Sequence, residues 1–285
     1  MSDKLHLIVT APSPPSLPAN LRALLARMVP TTRIDCEEDS LSQPSEIATA
    51  RALGLPSEDG RIPWAAVETS TVGTPCAWIT LCHWRVGADH VTLVPARELL
   101  LDAAEEQTLY AAMAPYFAED GIQLQMQPAL PGVWLATGEA FRGLATLSME
   151  RAVAQRLTPD HLTTGGAAAA TLRRLQNEMQ MLLYTHPLTE EREARGLLPV
   201  NSFWVTGAGV LDRTFVPDPT VLVEAQLQDS SCARLLALLQ AGGAAQLTLC
   251  GPKAAQSFGP APAGVLPGLK RVLGLQPAWN GLETL

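Results

Sequence analysis

Residues 175–209 read LQNEMQMLLYTHPLTEEREARGLLPVNSFWVTGAG, the stretch of this chain with the richest mixture of special residue types. The stretch opens inside a predicted helix over Ala168–Tyr184, whose apolar side chains recur at helical spacing at Leu172, Leu175, Met179 and Leu182. Pro187 disfavours helical geometry at His186, so the long helix ends there. A short helical turn and a predicted strand at Asn201–Thr206 follow. The stretch therefore indicates a helix, a turn and a strand in close succession.

The residues that precede this stretch extend the pattern of alternating elements. Two predicted strands, Cys76–Trp84 and His90–Pro95, are joined by a short Gly-containing segment and are typical of a hairpin. A predicted helix over Asp102–Phe117 follows, and then two short strands at Ile122–Met126 and Val133–Ala136. The order of hairpin, helix, two strands, long helix and strand indicates a ferredoxin-like α+β layer.

The two ends of the chain predict a second lobe. The predicted strands there are Leu5–Thr10, Val221–Ala225 and Gln246–Cys250, and the predicted helices are Ala19–Met28, Ser45–Leu53, Pro63–Val67, Ser231–Gln240 and a short one near Leu269. The fold class is therefore α/β or α+β. We expect an outer lobe formed by residues 1–74 with 211–285, and a central domain formed by residues 75–210.

The composition indicates which classes of molecule the protein is not expected to bind. With 20 Lys+Arg against 28 Asp+Glu, the net charge of −8 repels phosphate backbones, so we expect no nucleic-acid partner. No apolar run approaches the length of a bilayer span, and the apolar run near the N-terminus is too short for a signal peptide. We therefore expect a cytoplasmic protein without a membrane partner.

The cysteines are odd in number and form no C-x-x-C pair: Cys36, Cys76, Cys82, Cys232 and Cys250. Such a set is typical of buried free thiols in a reducing compartment. A zinc site is not expected, because no cluster of cysteine and histidine residues stands beside them.

Four residues of the central stretch predict a binding site for an anion. His186 is expected at a helix C-terminus, where backbone carbonyls favour a protonated ring. Arg192 and Arg195 lie three apart on one face of a short helix, and the amide of Asn201 follows. A cationic His186, Arg192 and the amide together suit a carboxylate or a phosphate.

A structural interpretation of the same residues stays open. His186 then caps a helix by bonding to carbonyl groups, Arg192 pairs with Glu190 or Glu193, and Asn201 caps a turn. Residues 207–209, Gly-Ala-Gly, allow the backbone of this segment to approach another group closely.

The motif H-P-x-x-x-x-R-x-x-x-G-x-x-P-x-N, which begins at His186 and is followed by G-A-G, resembles the insert domain of the archaeal-type cofactor-independent phosphoglycerate mutases of the alkaline-phosphatase superfamily. The whole chain is similar to the RpfE-type regulatory proteins, a bacterial group that shares this domain. CHWRVGADHVTLVP at 82–95, LQNEMQMLLYTHP at 175–187 and GLLPVNSFWVTGAG at 196–209 carry this resemblance, which covers about residues 76–210.

The resemblance implies a fold and a chemistry. The outer lobe would be a degenerate alkaline-phosphatase-like core, and family catalysis implies two divalent metals, usually manganese or zinc, with a Ser or Thr nucleophile. The family has Asp-Gly after its first strand, whereas this chain has Thr10-Ala11-Pro12, and no histidine follows Asn201. Thr189 and Thr206 stand where the family usually has Asn and often has Arg.

These departures predict a non-catalytic protein that is regulatory or binds a small anion, without the two-metal site and without a cofactor. Its ligand would be a small phosphorylated or carboxylated metabolite near His186, Arg192, Arg195 and Asn201. The sequence leaves the oligomeric state open.

Two alternatives remain. The first is an active 2,3-bisphosphoglycerate-independent phosphoglycerate mutase or phosphatase that uses manganese or zinc, with candidate ligands at His83, Asp89, His90, Asp212 and Asp218. The second is an interaction module that presents Trp84, Trp134 and Trp204 on a binding surface.

Overall fold

The computed structural model describes residues 3–10, 18–87, 90–157 and 166–261. In chain order the strands are β1 (Lys4–Val9), β2 (Met28–Asp35), β3 (Cys76–Val86), β4 (Val91–Pro95), β5 (Gln123–Met126), β6 (Val133–Thr137), β7 (Ser202–Gly209), β8 (Val221–Glu224), β9 (Ala244–Cys250) and β10 (Ala254–Pro260). The helices are α1 (Ala19–Leu25), α2 (Pro44–Ala52), α3 (Trp64–Thr69), α4 (Ala96–Leu99), α5 (Ala103–Glu119), α6 (Met149–Ala154), α7 (Gly166–Tyr184), α8 (Pro187–Ala194) and α9 (Asp229–Gln240).

The chain divides into two compact units, each with its own sheet. The outer unit comprises Met1–Asp39, Gln43–Ser57 and Val216–Leu285, and the central unit comprises Ser40–Ser42 and Glu58–Phe215. The mixed α/β class with two sheets agrees with the sequence prediction. No helix in the described part of the chain is long and apolar enough to cross a membrane.

The outer unit contains a five-stranded sheet in the order β2-β10-β9-β1-β8. β1 runs parallel to both β8 and β9, while β10 is antiparallel to β9 and to β2. Alternate side chains of β1, beginning with Leu5, pack with α1 and α9 on one face. Helix α2 contacts β1 and β10 and covers the other face, where His6 and Ile8 lie.

The central unit confirms the ferredoxin-like prediction. Its sheet has the order β7-β3-β6-β5 with antiparallel neighbours, and the chain passes through β3, α5, β5, β6, α7 and β7 in turn. β4 pairs with the far end of β3. Helices α5 and α7 cover one face over a core with Phe117, Trp134 and Phe203 at its centre.

The observed boundary between the units differs from the expected one at residue 74. Residues 58–74, which we expected in the outer lobe, belong to the central unit, because α3 packs on β3 and β7. Gly207 permits this packing: its φ is +62°, and a Cβ atom there would lie 3.1 Å from the backbone nitrogen of Ala65. The group that closely approaches the Gly-Ala-Gly segment is therefore the start of α3.

Candidate functional site

His186 ends one helix and begins the next. It is the N-cap of α8, and its Nδ1 accepts a hydrogen bond from the backbone N–H of Leu188 at 3.2 Å. The long helix ends close to the expected position, because α7 stops at Tyr184, and His186 begins α8 as its N-cap.

Arg192 is completely buried and is bonded to the protein itself. Its Nε donates to the carbonyl of Leu198 at 2.9 Å, and its two terminal nitrogens donate to the Glu105 carboxylate and to the carbonyl of Leu99. Its ionic partner is therefore Glu105 on α5 rather than Glu190 or Glu193. Buried charges need such partners, because an unpaired guanidinium in the interior is very costly.

Arg195 binds the second oxygen of the same carboxylate. Its Nη1 lies 2.8 Å from Glu105 Oε1, and its side chain is 54% exposed. Glu105 itself is only 5% exposed and also accepts a hydrogen bond from the backbone of Asp102 as part of a capping box. The two arginines thus meet at one buried carboxylate, which ties α8 to the start of α5.

Asn201 extends the strand ladder instead of capping a turn. Its Oδ1 accepts from the backbone N–H of Trp84 at 2.7 Å, and its Nδ2 donates to the Trp84 carbonyl at 2.9 Å. Its own N–H donates to the carbonyl of Cys82. The amide therefore substitutes for a backbone peptide group at the point where β7 leaves β3.

The four predicted site residues do not surround one small ligand. His186 is the N-cap of α8 and Arg195 is its C-cap, nine residues later, and a helix rises about 1.5 Å per residue, which separates the two positions by roughly 13–14 Å along the helix. Arg192 and Asn201 use their polar atoms on Glu105, backbone carbonyls and Trp84. In this chain, Arg192 and Arg195 of the motif that resembles the mutase insert connect α8 to α5, and Asn201 connects the start of β7 to β3. We call these structural contacts the brace.

The carboxyl edge of the parallel strands in the outer unit is the usual ligand position in an α/β sheet. Here the backbone N–H and Oγ1 of Thr10, just after β1, donate to the carbonyl of Glu224 at 2.9 and 3.3 Å. The Glu224 carboxylate accepts from the backbone of Gln228 and from Ser231 Oγ, so it holds the first turn of α9. The Thr10 side chain thus binds the backbone of β8, and the Glu224 side chain binds the start of α9.

The candidate metal ligands are divided between the two units. Asp218 belongs to the outer unit and accepts hydrogen bonds from Thr220, and His83, His90 and Asp212 belong to the central unit. His83 Nδ1 is held by the carbonyl of Pro199 at 2.8 Å, and burial lowers the pKa of its ring. Asp89 lies outside the described residues. Within the described ranges, no three His, Cys, Asp or Glu side chains are grouped to hold a metal.

The cysteines are free thiols, as expected. Cys76, Cys82, Cys232 and Cys250 are buried and Cys36 is half-buried. Burial raises the pKa of Cys76 to about 11 and that of Cys250 to about 12, so these thiols stay protonated at neutral pH. A protonated thiol is a weak nucleophile.

The three tryptophans proposed for an interaction surface are core residues. Trp84, Trp134 and Trp204 are at most 6% exposed. Trp134 Nε1 donates to Glu106 and Trp204 Nε1 donates to the Leu147 carbonyl, and Trp84 packs edge-on against Trp204. The expectation of an aromatic binding surface at these positions is therefore wrong.

A buried polar chain in the outer unit was missed at the sequence level. His6 Nε2 lies 2.8 Å from Thr248 Oγ1, which lies 2.8 Å from Ser257 Oγ. The three residues stand on the neighbouring strands β1, β9 and β10, which are far apart in sequence. No local motif marks such a set, and β10 itself was not predicted.

No protein-family model matches this chain, and no curated protein matches it either. The chain is similar to the structure of the cofactor-independent phosphoglycerate mutase from Thermoplasma acidophilum DSM 1728, with 15% identity, a TM-score of 0.37, and coverage of 90% of this chain and 89% of that chain. It is also similar to the PH0037 protein from Pyrococcus horikoshii, with 9% identity, a TM-score of 0.41, and coverage of 92% and 88%. Both TM-scores are low.

Proposed function

We propose that this protein is a non-catalytic regulatory relative of the cofactor-independent phosphoglycerate mutases, of the RpfE type, and that it acts by binding rather than by chemistry. The observation that carries the proposal is the carboxyl edge of β1 and β8, where Thr10 donates to the backbone carbonyl of Glu224 and the Glu224 carboxylate accepts hydrogen bonds from the start of α9. The resemblance implies a metal-ligating carboxylate directly after the first strand. In its place Thr10 is a hydrogen-bond donor to a neighbouring strand.

The residues present do not suit the manganese or zinc pair that the resemblance implies. Such a pair needs several carboxylate and imidazole ligands around two ions about 3.5–4 Å apart. Glu224 is the carboxylate at the strand edge, and both of its oxygens already accept hydrogen bonds from the start of α9. The alternative of an active mutase or phosphatase therefore needs ligands from other parts of the chain.

A small phosphorylated or carboxylated metabolite stays part of the proposal as a prediction. We place the metabolite at one end of α8 only, because His186 and Arg195 stand at opposite ends of that helix. Arg195 supports the prediction best, since its side chain is 54% exposed and its guanidinium uses one nitrogen on Glu105. Arg192 is completely buried and is not part of the proposed contact.

Metal binding tests the non-catalytic proposal. Calorimetric titration of metal-stripped protein with manganese, and separately with zinc, is expected to show no stoichiometric binding at micromolar concentrations, because the strand-edge side chains are bonded to the protein. A Glu224→Gln variant serves as the matched control, since it keeps the shape of the side chain and removes its charge. Two tight equivalents in the natural protein that are reduced in this variant would contradict the proposal.

A further inference from the structure

We draw no further inference here: the strongest candidate, the polar side chains of Trp84, Ser148 and Ser202 that are buried where α6 packs on the sheet of the central unit, carries nothing, because no part of the described chain shows room for a ligand beside them.

Discussion

Replacement of Arg192 by methionine is expected to lower the free energy of unfolding by about 3–5 kcal/mol. The guanidinium is completely buried and donates to Glu105 and to the carbonyls of Leu99 and Leu198. Methionine has similar length but no donor, so it leaves a buried carboxylate and two carbonyl groups with fewer partners. Urea unfolding of the two proteins at neutral pH measures the difference.

Two further variants separate this brace from a ligand site. Arg195→Met removes the exposed partner of Glu105 and should cost about 1 kcal/mol or less, because exposed ion pairs contribute little. Glu105→Gln in the Arg192→Met background should recover part of the loss, since it removes the buried charge. A midpoint in Arg192→Met equal to that of the natural protein would show that Arg192 is not a brace.

Acidification from pH 6.5 to 4 is expected to remove about 3 kcal/mol of stability through His6 alone. Burial, with a smaller effect from Lys4, lowers the pKa of His6 from 6.5 to about 4 in the folded protein. The unfolded chain therefore takes up a proton at higher pH than the folded chain does. The contribution is fully present above pH 6.5 and is lost as the pH falls toward 4.

The variant His6→Gln isolates this contribution from those of the carboxylates. Glutamine can still form a hydrogen bond with Thr248 Oγ1 but does not titrate. The free energy of unfolding of the variant should therefore fall less steeply between pH 6.5 and 4 than that of the natural protein. Unfolding curves of both proteins at several pH values give the difference. A difference in the free energy of unfolding between the two proteins that stays constant from pH 6.5 to 4 would contradict the assignment to His6.

Local sequence patterns predicted most of the central unit. The apolar spacing of α7, the Pro187 stop and the acidic start of α5 are all encoded within a few residues, and the order of these elements is enough to indicate the ferredoxin-like layer. The strand pairs did not have to be predicted separately, because elements in this order commonly form a ferredoxin-like sheet.

The outer unit was predicted less completely because β2 and β10 depend on each other. The expected helix ran to Met28, whereas α1 ends at Leu25 and β2 starts at Met28. Most of β2 is exposed and polar and contains Pro30, so it lacks the alternation of a strand. It is a strand because it pairs with β10, more than 200 residues later. The sequence around β2 alone does not indicate that pairing.

The same limit explains why the partners of Arg192 and Asn201 were not predicted from the sequence. Arg192 is close in sequence to Glu190 and Glu193, which were therefore the expected ionic partners. Its ionic partner in the structure is Glu105, 87 residues earlier. Asn201 likewise bonds to Trp84, 117 residues earlier. Residues of this kind suit both an anion site and a buried brace, and only the tertiary contacts distinguish the two.

The most direct test of the non-catalytic account is a phosphoglycerate mutase assay on metal-stripped, demonstrably folded protein, with and without added manganese. The account predicts no turnover in either condition, since the strand-edge residues Thr10 and Glu224 are bonded to the protein's own strands and helix. Turnover that appears only with manganese, and that is absent from a parallel preparation of an inactive protein, would establish a two-metal enzyme and contradict the account.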